Sequence, residues 1–165
     1  MRRIINDIIN TIAEFMSSGI KRSIVLIGIL VLITIVDFFS LGLARRTFVF
    51  YTIKDGVLVV EDRMIKHSGS KEEDIIRYTE EALLGPVAQD LMPLFPRETR
   101  LKALLFRDGV VYVDLTSAAA MPPIEGGQVK VNFNTLYNGI LRNFSYVKNV
   151  RFFIEGQSVY SEGFL

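Results

Sequence analysis

The sequence predicts an α+β fold: an N-terminal transmembrane helix followed by a compact domain of ββαββαββ order, with two helices packed on an open sheet. Three observations carry this. A run of 21 residues near the amino terminus is almost wholly apolar. Further on, three pairs of β-rich runs are each joined by an acidic residue and a glycine, and two segments with helical spacing of apolar residues separate those pairs. The chain has 165 residues, room for one domain plus an appendage.

The first element is Met1–Ile20, read as an amphipathic helix. Ile4, Ile5, Ile8, Ile9, Ile12, Phe15 and Met16 fall on one side, and Asn6, Asp7, Asn10, Thr11 and Glu14 on the other. Such a helix can lie in the cytoplasmic headgroup layer, extend the segment that follows, or dock a partner. The second element is Ile24–Ala44, with 16 apolar residues in 21. As a helix it rises about 31 Å, enough for a hydrocarbon core of about 30 Å. Three readings compete for it. A buried core helix is disfavoured by apolarity on every face. A cleaved signal peptide would use the small residues Gly42 and Ala44, but the run is long for one and starts late. An uncleaved signal anchor fits best. Asp37 inside the run is a costly carboxylate there, and so a candidate for a paired role.

Arg2, Arg3, Lys21 and Arg22 precede the run, whereas Arg45, Arg46 and the more distant Lys54 follow it. That bias favours an amino terminus in the cytoplasm and a carboxyl-terminal domain outside the membrane. From Thr47 onward there are 13 basic and 15 acidic residues, a net −2 that suits an exported face.

The domain, 47–165, opens on Thr47–Ile53 and Val57–Val60 around Lys54-Asp55-Gly56. Leu101–Phe106 and Val110–Leu115 flank Arg107-Asp108-Gly109, and Val150–Ile154 and Gln157–Tyr160 flank Glu155-Gly156. Glycine relieves the positive-φ strain of hairpin turns, so each unit reads as a hairpin. The first two share the wording K/R-D-G-V-L/V-x-V-D/E, at Lys54–Glu61 and Arg107–Asp114. Ser70-x-x-Glu73 is a capping-box pattern opening a helix over Lys71–Leu84, with Ile75, Ile76, Thr79, Ala82 and Leu83 on one face and Gly85-Pro86 as its stop. Phe133, Leu136, Tyr137, Ile140, Leu141 and Phe144 mark a second helix over about 127–143. Leu91–Pro96 and Thr116–Gln128 read as loops.

Composition excludes much chemistry. The net charge is +1, from 19 basic and 18 acidic residues, which leaves no basic surplus for nucleic acid. There is no cysteine and one histidine, His67, so neither a disulfide framework nor a thiolate or poly-histidine metal site can be built. His67 has no marked nucleophile beside it and reads as a solvated loop histidine. Asp114, at a strand end, reads as the cap of the following turn, with a catalytic acid as the alternative. Glu72, Glu73 and Asp74 suit a helix start. Gly126-Gly127 is too short a pattern for a phosphate cradle. No catalytic residue, cofactor or metal is assigned, and no enzyme activity is expected.

From Glu80 to Gly156 the residues resemble the GerMN domain, the sporulation and spore germination domain of bacterial envelope proteins. The pieces that carry the resemblance are Ala82-Leu83-Leu84-Gly85-Pro86, Leu94-Phe95-Pro96-Arg97-Glu98-Thr99, Arg107 to Thr116 (RDGVVYVDLT), Asn134-Thr135-Leu136 and Val147 to Gly156 (VKNVRFFIEG), in that order. Ala118 to Pro123 (AAAMPP) departs from the family pattern. The resemblance implies anchorage by a lipid or a membrane segment, residence outside the cytoplasmic membrane, and assembly or scaffolding in place of catalysis.

The resulting expectation is a single-pass, membrane-anchored protein-interaction and scaffold module of the cell envelope. Its partners would be the membrane and envelope proteins, with self-association left open and nucleic acid excluded. Strands apolar on both alternations support it, because helices can bury only one face of the sheet. Asp37, Leu104, Phe106, Tyr112, Asp114 and Phe152 are the candidate interaction or structural positions. The alternative is a binder of cell-wall glycan or another envelope ligand, using Tyr112, Tyr137, Tyr146 and Tyr160. An enzyme centred on Asp114 or His67 is a third.

Overall fold

The computed structural model describes residues 19–40, 42–123 and 128–160, without the side chains of 21 and 37–40. The amphipathic helix expected over 1–20 lies almost wholly outside those residues, as do the side chain of Asp37 and the Gly126-Gly127 pair. The chain divides into two units, 1–42 and 43–165.

In the first unit, helix α1 runs Gly19–Ser40. Among the described residues no helix is long and apolar enough to cross a membrane. The span expected over Ile24–Ala44 is therefore not supported with those bounds, and its carboxyl end shows one physical reason. Lys21 and Arg22 occupy the first turn of α1, and the last apolar residues of the run, Leu43 and Ala44, are taken into a strand. The apolar part of the helix is thus 24–40, a rise of about 25 Å.

The second unit begins with an antiparallel hairpin of β1 (Leu43–Thr52) and β2 (Leu58–Lys66), longer on both sides than the sequence implies. Helix α2 spans Lys71–Leu84, and a two-residue β3 (Leu91–Met92) returns to pair with Tyr51 and Thr52. Then come β4 (Leu101–Arg107), β5 (Val110–Leu115), a single 3₁₀ turn over Ser117–Ala120, α3 (Val129–Asn143), β6 (Asn149–Ile154) and β7 (Gln157–Val159). The expected single sheet is two sheets: β2-β1-β3 and β4-β5-β6-β7. In the second, β5 and β6 are parallel, connected across α3, and the other pairs are antiparallel.

Local chemistry explains most of these bounds. Asp108-Gly109 and Glu155-Gly156 have positive φ at both residues, the conformation that a two-residue hairpin turn needs to match strand twist. In Lys54-Asp55-Gly56 only the glycine does, so the shared wording of the first two hairpins gives two different turns. Helix α2 stops at Gly85, which takes φ 87°. Arg63 of β2 reaches that same helix end, donating to the backbone oxygens of Glu81 (3.2 Å) and Gly85 (2.6 Å) and pairing with the carboxylates of Glu61 (2.6 Å) and Glu81 (3.0 Å). A guanidinium there satisfies carbonyls that the helix leaves open and complements its dipole.

The core forms where the two sheets meet the helices. Val111, Val113 and Leu115 of β5 and Val150 and Phe152 of β6 are buried, and the Phe152 ring meets Phe133 of α3 edge-on at 5.1 Å. From the first sheet, Phe48 and Phe50 enter the same cluster. Leu91–Pro96, expected to be a loop, supplies β3 and the buried Leu91, Leu94 and Phe95.

One contact joins α2, α3 and β1. Tyr78 of α2, 2% exposed, stacks on Phe48 at 4.6 Å and meets Phe144 edge-on at 5.6 Å. Its hydroxyl donates to the Thr47 carbonyl at 3.2 Å, and burial pushes its pKa up, so it stays a donor. The ring fits because Gly139 of α3 has no side chain: a Cβ there would overlap the Tyr78 hydroxyl. Gly139→Ala should therefore destabilise the domain by about 1–2 kcal/mol, overpacking outweighing the helix-propensity gain of about 1 kcal/mol. In a Tyr78→Phe background the same change should be neutral or stabilising, a sign reversal that urea melts of the four chains can read.

Candidate functional site

Helices cover only one face of the second sheet, and its other face is open among the described residues. The strand register sets Leu105 beside Tyr112 and Arg151 in one row, and Ala103 beside Asp114, Phe153 and Ser158 in the next. Leu105 is 52% exposed, Ala103 and Arg151 are exposed, and Tyr112 and Phe153 are half-buried. The Arg151 guanidinium lies over the Tyr112 ring at 5.9 Å, and the Tyr112 and Phe153 rings are 6.4 Å apart. The patch is thus apolar and aromatic, with one cation across its middle. Lys102 and Glu155 close one end as an ion pair at 2.5 Å. Lys102, and then the Ser117 N–H, hold the Glu155 carboxyl below its ordinary pKa.

This placement sorts the candidate residues. Phe152, 1% exposed, is a core residue. Leu104 and Phe106 are half-buried on the inner side, where Phe106 meets the Tyr146 ring at 5.4 Å. The outward residue is their neighbour Leu105, and a β-bulge decides this. Leu101 pairs with Leu115 but Ala103 with Asp114, so β4 carries one extra residue. Plain alternation from Leu101 would have put Leu105 inside; the extra residue reverses the faces. Tyr112 and Asp114 lie on the open face. Asp114 accepts the Gly156 N–H at 3.0 Å, bracing the β6–β7 turn instead of its own, while Glu155 takes the Ser117 N–H at 2.9 Å after β5. The two carboxylates have exchanged turns, a swap that only the parallel pairing of β5 and β6 makes reachable.

A second concavity, about 580 Å³, lies between the end of α2 and the segment entering β4, lined by Leu83, Leu84, Glu80, Arg97, Thr99 and Arg100 among others. Among the described residues no cluster of His, Asp and Glu suits a metal ion.

The Germane family, described as sporulation and spore germination, matches residues 49–160. The chain belongs to that family. Among solved structures, the tandem GerMN domains of the sporulation protein GerM from Bacillus subtilis match at 20% identity with a TM-score of 0.55, covering 74% of this chain. The first GerMN domain of the same protein matches at 18% identity with a TM-score of 0.55, covering 70% of this chain and 86% of that one. These are likenesses of fold. This chain spans 43% of the length of the tandem-domain structure. No curated protein matches it.

At the start of α2, this GerMN domain departs from the expected capping box. Ser70 is the N-cap residue but its side chain caps nothing. Asp74, inside the first turns and buried, accepts the Ser68 N–H at 2.8 Å and Ser68 Oγ at 3.0 Å, and pairs with His67 Nδ1. The set is Ser, His and Asp, but the carboxylate bridges the other two, whereas nucleophilic chemistry needs the imidazole in the middle. It fastens the β2–α2 connection. Burial raises the Asp74 pKa, but the Ser68 backbone and hydroxyl, with His67, outweigh it and hold the carboxyl below its ordinary value. A depressed folded pKa contributes stability that is present above the unfolded value and lost as pH falls through the folded one. Asp74→Asn should cost about 2 kcal/mol at pH 7. Chemical melts from pH 7 downward should show wild type and variant converging below about pH 4.

Proposed function

We propose that this chain is a single-pass, membrane-anchored module of the bacterial cell envelope that holds other envelope proteins, with its GerMN domain outside the cytoplasmic membrane. The observation that carries the reading is the open face of the second sheet. Tyr112, Phe153 and Arg151 lie there beside Leu105, and aromatic residues and arginine are enriched at protein interfaces. Leu105 and Arg151 are turned to water, and the rings of Tyr112 and Phe153 are only half-buried, so apolar area there is left for a partner to cover.

Anchorage is supported by α1 taken alone. Ile20 is 77% and Leu30 65% exposed, and apolar side chains stand out all along the helix. Its two described hydroxyls, Ser23 and Thr34, return to the carbonyls of Gly19 and Leu30. Those two hydroxyls therefore do not resist lipid, and Asp37 is the one carboxylate within 24–40. The apolar part falls about 5 Å short of an average hydrocarbon core, a mismatch that tilt-free insertion, bilayer thinning and the flanking basic residues can absorb. The basic bias at the amino side supports a domain outside. Tethering then raises the effective concentration of partners at the membrane. Membership in the Germane family makes sporulation or germination the process to test first.

The glycan-binding alternative needs its tyrosines on one platform. Tyr112 is on the open face, Tyr137 is on α3, and Tyr146 and Tyr160 pack on Phe106 and Phe133, so no single surface gathers them.

Two measurements test the reading. Protease added to intact spheroplasts should digest the domain, and protection would overturn the topology. A photo-crosslinking residue at Leu105 should capture one discrete envelope protein, and Arg151→Glu should abolish the capture. A smear of bulk membrane protein insensitive to Arg151→Glu would remove the interaction face.

A further inference from the structure

The first sheet has an edge that the open face does not involve. Strand β2 is bonded to β1 over nine residues and has no strand on its other side among the described residues. It contains no proline and, in its ladder with β1, no break in register, two of the devices that usually protect such an edge. Its outward side chains are apolar at three of five positions: Leu58, Val60 and Met64 are all more than half exposed, with Asp62 and Lys66 completing the row. On the other side, Leu84 and Val87 are 76% and 79% exposed at the end of α2. That end lies against β2, since Arg63 bonds the Gly85 carbonyl and the Val87 N–H bonds Glu61.

We propose that this edge pairs with the same edge of a second copy of the chain, β2 against β2 antiparallel about Asp62, joining two three-stranded sheets into one of six. The strand reads Leu58-Val-Val-Glu-Asp-Arg-Met-Ile-Lys66, and folded on itself about its centre it is complementary. On the outer face Val60 meets Met64 of the second copy, and Leu58 meets the alkyl stem of Lys66. On the inner face Val59 meets Ile65, and Glu61 meets Arg63. Each pair occurs twice by symmetry. Apolar pairs and opposite charges directly across an antiparallel ladder stabilise it, and mismatched charges oppose it. One like pair remains, Asp62 against Asp62. Each of these carboxylates is already paired within its own chain with Arg45 at 2.5 Å and accepts a hydrogen bond from the Thr47 hydroxyl at 2.9 Å. Shifting the register by two in either direction loses this match: one way sets Arg63 against Arg63, the other Glu61 against Glu61. Leu84 and Val87 of both copies lie beside the seam, where the pairing would cover them. The isologous interface closes after two copies, so it gives a dimer and no filament.

The proposal stands on the β2 edge alone, and its failure would leave the interaction face untouched. The chain has no cysteine, which makes the test direct. In the full chain in mild detergent, Asp62→Cys places two thiols directly opposite across the axis, about 4.5–5.5 Å apart at Cα and within disulfide reach. Mild oxidation should convert most of it to a covalent dimer, while Leu105→Cys stays uncrosslinked. Chains carrying Val60→Cys and Met64→Cys should crosslink when mixed but neither alone. Without any cysteine, light scattering should give the wild type twice the protein mass of Val60→Lys, which burdens only an exposed position. Absence of the Asp62→Cys dimer, crosslinking of Met64→Cys by itself, or equal masses for wild type and Val60→Lys would each overturn the proposal.

Discussion

The peptide of Thr47 is where the first sheet is fastened to everything else. It lies on the side of β1 that β2 does not reach and β3 covers only at Tyr51 and Thr52, so its N–H and carbonyl need partners from elsewhere. Asn143, the last residue of α3, provides both. Its Oδ1 accepts the Thr47 N–H at 2.9 Å and its Nδ2 donates to the Thr47 carbonyl at 2.7 Å, so one side-chain amide stands in for a neighbouring strand. The Nδ2 also returns to the Gly139 carbonyl at 2.8 Å, and the Asn143 carbonyl accepts Arg46 at 2.7 Å. Tyr78 reaches the same Thr47 oxygen across the Gly139 gap. Polar fastening and ring packing therefore coincide at one point, and both helices are committed there.

That commitment explains why surface is left over. With α2 and α3 packed on the inner side of the second sheet and also holding Phe48 and Phe50 of the first, neither α-helix described in the second unit remains for the outer face of β4–β7. The β2 edge of the first sheet likewise has no strand beside it among the described residues. A domain of this size has too few elements to cover two sheets on both sides. Open sheet faces and edges are then available for the partners proposed above.

Much of this was legible in the sequence because it depends on neighbours within a few residues. Helix α2 has the bounds that its apolar spacing and Gly85 dictate, and two of the three acidic-glycine turns take the strained conformation expected of them. What was not legible depends on contacts far along the chain. The division into two sheets follows from the β1–α3 fastening, 96 residues apart at Thr47 and Asn143. Nothing in a lone asparagine at a helix end announces that it will pair with a strand. The outward turn of Leu105 depends on one extra residue in β4, which a reading of alternating apolar positions cannot see. Asp74 overrode the capping box because the chain before α2 brings Ser68 and His67 to its carboxylate. The apolar run near the amino terminus gave a helix, but β1 drew its last two residues into the ladder, moving the start of the domain to Leu43.

Amide hydrogen exchange on the Asn143→Ala chain tests the fastening most directly. If Thr47 and Asn143 hold the first sheet to the rest, amides of β1 and β2 should lose protection together while those of β4 to β7 keep theirs. Unchanged protection in β1 and β2 would contradict it, as would an equal loss throughout the domain.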